Sequence, residues 1–76
     1  MMPVIRNALQ LGTALLRLRK QVGWTQKQTS ERAGIKQSTV SQMESGITGI
    51  RIGTFFKVLA GLDLEIVIRS RKKEKR

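Results

Sequence analysis

Neither cysteine nor histidine occurs among the 76 residues, only three residues are aromatic, and five acids stand against fifteen Lys and Arg. The lack of cysteine excludes a disulfide framework and is compatible with the cytosol. There is no metal-ligand spacing, and the seven glycines form neither a P-loop nor a dinucleotide-binding pattern. The acids are scattered as Glu31, Glu44, Asp63, Glu65 and Glu74. Asp63 and Glu65 would share one side of a strand, yet general acid–base work also needs a pocket, for which the sequence offers no sign. The chain is therefore not expected to be an enzyme, and no cofactor or metal is expected. No apolar run approaches the roughly 18 residues of a membrane span, and the N-terminus lacks the features of a secretory signal.

What the chain has in excess is positive charge. Its formal net charge of +10 points to polyanionic partners. Residues 69–76 hold six bases and one acid, and so carry five of those ten charges. This tail reads either as a solvated, disordered end that aids solubility or as a non-specific phosphate-binding arm. Hydrophobic residues make up 39%, enough for a globular domain. One domain of this length buries only roughly 60% of its unfolded surface, so oligomerisation is a common remedy for marginal stability.

Residues 1–6, with Pro3 discouraging an early helix, read as a flexible lead-in. Asn7 followed by Gln10 marks a helix start. Leu11, Ala14, Leu15, Leu18 and Val22 then recur as one buried stripe, which Gly23 ends. Thr25 followed by Gln28 opens a second helix over 26–33, with Gln26 at an N-terminus that favours phosphate. Trp24, just before that cap, reads as an apolar staple over the junction. Gly34 supplies a left-handed turn residue and Ile35 a core plug. A further stripe of Ile52, Phe55, Phe56, Leu59 and Leu62 predicts a closing helix that ends near Gly61.

Between these lies a helix over 37–45. A step of about 100° per residue puts Val40 and Met43 on one side and Gln37, Ser38, Ser41, Gln42 and Ser45 on the other. The outer side carries no charge and no large apolar group. Glutamine can contact adenine with two hydrogen bonds in the major groove, and serine can donate or accept there. On an isolated helix such residues would be ordinary solvated surface. Here two short helices meet at a tight Ala33-Gly34-Ile35 turn in a basic chain, so residues 23–46 have the grammar of a helix-turn-helix that reads double-stranded DNA.

After the last helix the period changes to 2. Leu64, Ile66 and Ile68 alternate with Glu65, Val67 and Arg69, which predicts a short strand over 63–69. A lone strand cannot satisfy its backbone groups in a helical domain. The simplest solution is pairing with the same strand of a second copy, an isologous dimer that would set two recognition helices about 34–36 Å apart on one DNA face. The alternatives are a strand that completes a partner's sheet and an intrachain pairing with residues 2–5.

Residues 11–62 resemble the Xre/Cro-C1-type helix-turn-helix, and residues 11–69 resemble its HipB antitoxin branch. The resemblance is carried by GWTQ at 23–26, GIKQSTVSQME at 34–44, TFFKVL at 54–59 and LDLEIVI at 62–68. It implies a mainly α, lambda-repressor-like bundle of about four helices over 7–69, with the C-terminal β-strand paired across a homodimer through Leu64, Ile66 and Ile68; from its composition, 70–76 is expected to be a basic disordered tail. By position it implies that Gln37, Ser38 and Gln42 read bases, that Ser41 and Thr39 touch bases or backbone, and that Gln26 meets phosphate; Ser41 is expected among the base readers, and Thr39, Lys27 and Lys36 at phosphate. Gln26 would also brace the recognition helix, and Arg19 and Glu44 would form a partly buried pair tying the first helix to the third. Thr29-Ser30 departs from the usual Leu-Ala, which predicts looser packing or hydroxyl bonds. Lys36 departs from the usual Ser or Thr cap and cannot serve as one. The basic tail has no counterpart in the shared pattern.

The function so implied is that of a small bacterial antitoxin, cytoplasmic and nucleoid-associated. Such a protein binds inverted repeats in its own promoter through the major groove, represses the operon and joins a HipA-like serine/threonine kinase toxin. Beside it stand a regulator of the same type without a toxin, a non-specific basic nucleic-acid binder, and a protein-interaction module.

Overall fold

Four helices form among residues 3–72, the part of the chain that the computed structural model describes. Residues 1–2 and 73–76, and with them the ends of the expected lead-in and tail, lie outside the described residues. Helix α1 (Ala8–Val22) starts where the Asn7 side chain accepts the Gln10 N–H at 2.8 Å. The Gln10 side chain answers one residue early, accepting the Arg6 N–H at 2.7 Å. Helix α2 (Gln26–Ala33) carries a complete capping box: the Gln28 N–H donates to Thr25 Oγ1 at 3.0 Å, and the Thr25 N–H to Gln28 Oε1 at 2.9 Å.

Gly34, with φ of 72°, ends α2, and the chain turns at once into α3 (Gln37–Glu44). Helix α4 (Ile52–Gly61) closes with Asp63 in the left-handed region at φ 58°. The Leu64 N–H reaches back to the Leu59 carbonyl at 2.8 Å and the Asp63 N–H to that of Ala60 at 3.1 Å, so an aspartate fills the seat that glycine usually takes in such a cap.

Helix α1 packs on α3, and α2 on both α3 and α4. Leu15, Met43, Val58, Leu59 and Leu62 form the centre, with Leu11, Trp24, Ile35, Phe55 and Leu64 against it. Val22, Ile52 and Phe56, expected in the core, are exposed, Ile52 by 71%. The cause is where the backbones approach. A side chain on Gly12 would stand 2.5 Å from the Met43 carbonyl oxygen and 2.6 Å from that of Glu44, so α1 turns this position, with Leu15 and Arg19, toward α3. Gly61 sits likewise against Ala33, 3.3 Å from its nitrogen to a Cβ position, which brings Val58, Leu59 and Leu62 inward and leaves Ile52 and Phe56 on the flank.

There is no strand among the described residues. Residues 64–70 have no regular structure within the single chain, and neither have residues 3–6, so intrachain pairing between them is absent. No helix of the described residues is long and apolar enough to cross a membrane.

Candidate nucleic-acid interface

The end of α3 is held by one carboxylate. Glu44 accepts Arg19 Nε at 2.5 Å, Arg19 Nη2 at 3.1 Å and Gln26 Nε2 at 2.9 Å. Arg19 Nη1 donates to the Trp24 carbonyl at 2.7 Å. The Arg19 and Glu44 side chains are 9% and 6% exposed, so α1, the α1–α2 turn, α2 and α3 meet through a nearly dry network. Charges this deep stabilise little by themselves, but removing one strands the other. The network thereby fixes how α3 sits on the scaffold.

Gln26 stands at the first position of α2, half-buried. Its amide nitrogen has two hydrogens, so it can hold Glu44 and still donate to a phosphate. On α3, Val40 and Met43 are buried while Gln37, Ser38 and Gln42 are exposed. Ser41 and Thr39 are half-buried at the edge of that row, and Ser45 returns its hydroxyl to the Ser41 carbonyl at 3.0 Å. Lys27 and Lys36 are exposed, and no side chain caps α3 at Lys36. The Thr39 N–H turns back to the Lys36 carbonyl at 3.1 Å, which leaves the Gln37 and Ser38 N–H groups to solvent or an anion.

An uncharged polar row on a braced helix, entered through a short turn from a second helix, defines a recognition unit. Residues 15–68 match the helix-turn-helix family. The antitoxin HipB of Escherichia coli K12 is 38% identical over 64 residues, which make up 84% of this chain and 73% of that protein. The chain belongs to the HipB branch of the helix-turn-helix family. Two solved HipB structures, the HipA-HipB-O2-O3 complex and the HipB-O4 20mer complex, each match with a TM-score of 0.86 and 35% identity, over 93% of this chain and 100% of the HipB chain.

Within this HipB-type fold, the Thr29-Ser30 pair splits in two. Ser30 donates to the Lys27 carbonyl at 2.7 Å, whereas the fully buried Thr29 hydroxyl has no hydrogen-bond partner. Two features escaped the reading of the sequence. The Arg32 guanidinium lies 3.9 Å from the centre of the Trp24 ring, and its Nε donates to the Gly61 carbonyl at 3.1 Å, clamping α2 to the end of α4. The other is Gly12. Its signal was there, since a glycine inside an apolar-periodic helix costs about 1 kcal/mol relative to alanine and calls for a packing reason. Arg32 had no comparable signal.

Proposed function

We propose that this chain is a homodimeric, sequence-specific repressor and the antitoxin of a HipA-like serine/threonine kinase. Helix α3 enters the major groove of an inverted repeat in the protein's own promoter, where Gln37, Ser38, Ser41 and Gln42 face base edges and the two glutamines favour adenine. Gln26, Lys27, Lys36 and Thr39 meet the flanking phosphates and set the register. The observation that carries this reading is the exposed, uncharged row of α3 held rigid from behind by Glu44, Arg19 and Gln26. The HipB structures with the O4 20mer and with HipA support the two partners, the 20mer taken as an operator duplex. Residues 64–69 pair with their copy in the second protomer, Leu64, Ile66 and Ile68 sharing one face, while Asp63, expected to open the strand, stays in the left-handed cap of α4. Such a regulator works in the cytoplasm, on the nucleoid.

The test is selection of duplexes from a random pool by the purified protein at physiological salt. Recovery of an inverted repeat is expected. Binding without enrichment that vanishes as salt rises would overturn sequence-specific repression in favour of a non-specific basic binder. The antitoxin half is read separately, by whether the protein forms a stable complex with a HipA-like kinase encoded beside it and silences its kinase activity.

A further inference from the structure

The segment after α4 leaves Ile66, Val67 and Ile68 exposed by 45%, 68% and 92%, and its alternation restricts how a second copy can cover them. The argument rests on the homodimer proposed above. In an antiparallel pair about a two-fold axis, residues opposite one another point to the same face. A residue and its own copy share a face across that axis, so an axis passing between two residues would set Leu64, Ile66 and Ile68 against Glu65, Val67 and Arg69 of the opposite face, which the ladder does not allow. The axis therefore passes through a residue.

We infer that the axis passes through Val67. Val67 then opposes Val67 of the second copy, Glu65 opposes the second copy's Arg69 on either side of it, and Ile66 opposes the second copy's Ile68. One face becomes a patch of four isoleucines continued by Leu64, and the other two ion pairs flanking a valine pair. Opposite charges and branched apolar residues are the cross-strand neighbours that stabilise a ladder.

The adjacent registers do worse on named residues. An axis through Ile66 sets Glu65 opposite Val67 and Arg69 opposite Asp63. Asp63 is no strand residue, since its φ is 58° and its N–H is committed to the Ala60 carbonyl. An axis through Ile68 matches Glu65 with Arg71 but sets Leu64 opposite Lys72 and Ile66 opposite Ser70. The Val67 axis gives every residue from Glu65 to Arg69 an apolar or oppositely charged partner and leaves one mismatch, Leu64 opposite Ser70, at the end of the ladder.

Because the chain has no cysteine, Val67→Cys, Ile66→Cys and Ile68→Cys each carry a single thiol in the full-length protein. Directly opposed strand residues have Cα atoms about 4.5–5.5 Å apart, within disulfide range. Under mild oxidation Val67→Cys is expected to form a covalent dimer much faster than the other two. Faster crosslinking of Ile66→Cys or Ile68→Cys would overturn the register and leave the dimer standing. Independently, Glu65→Arg and Arg69→Glu should each weaken self-association, and mixing them should yield heterodimers beyond the random share. Random mixing overturns the register too. Light scattering of the unsubstituted protein separates the two levels, because a monomer at the crosslinking concentration would overturn the homodimer itself.

Discussion

Glu44 offers nothing to the exposed row of α3, yet it holds the helix that presents that row. Its oxygens accept from α1 and α2 while its own helix presents Gln37 and Gln42. Glu44→Ala strands a buried guanidinium and is expected to cost about 3–5 kcal/mol in urea unfolding. Combining Arg19→Met with Glu44→Leu should cost less than Glu44→Ala alone, because no buried charge is left unpaired. Thr29 works in the opposite sense. Its hydroxyl is buried without a partner, so the isosteric Thr29→Val should stabilise the fold by about 1–2 kcal/mol. A thermal midpoint that fails to rise would show that the hydroxyl finds a partner in solution. At the DNA surface, Gln37→Ala and Gln42→Ala should each cost about 1–3 kcal/mol on the preferred duplex and relax base preference there, with unfolding unchanged. Titration of matched and mismatched duplexes decides it, and an unaltered preference would remove α3 from base reading.

Among the elements, the α1–α3 contact is the one with least tolerance. Both partners at Gly12 are backbone, with carbonyl oxygens at 2.5 and 2.6 Å from a Cβ position, so no side chain can rotate away. Gly12→Ala must push α3 outward against the Arg19–Glu44 tie, and is expected to destabilise by about 1–3 kcal/mol despite the better helix propensity of alanine. DNA affinity should fall by more than the lost stability explains, since the displaced helix carries the row proposed to read bases. Equal unfolding midpoints for the two proteins would refute that close approach. The helix ends, in contrast, were legible from neighbouring residues alone. Thr25 with Gln28, Asn7 with Gln10, and the glycines at 23 and 34 each act within one turn, and all four mark ends of α1 or α2 in the structure.

For the whole molecule the decisive quantity is an unevenly placed charge of +10. Phosphate binding releases counterions, so each lysine or arginine that meets DNA steepens the salt dependence of affinity by about 0.9. Truncation after Ser70 removes five bases and one acid. If the tail is a phosphate-binding arm, the slope flattens for every sequence while the preferred duplex stays the same. An unchanged slope assigns the tail to solubility. Operator affinity measured over a range of salt, on the preferred duplex and on a scrambled one, distinguishes the two.

The sequence by itself determined what depends on near neighbours: where α1 and α2 begin and end, which side of α3 faces out, the overall charge, and the alternation after α4. The tie between Arg19 and Glu44 was legible only through family resemblance, because no local pattern joins two side chains on different helices. Tertiary structure alone decided which members of the apolar stripes stayed out of the core. Helical periodicity names a stripe without naming the surface it meets, and the meeting was set by Gly12 against the end of α3 and Gly61 against Ala33, so Val58 went in while Ile52 and Phe56 stayed out. The clamp of Arg32 on Trp24 and Gly61, and the unpartnered hydroxyl of Thr29, have the same origin. They follow from how close two backbones come across the core, and that distance is a property of the packed helices together.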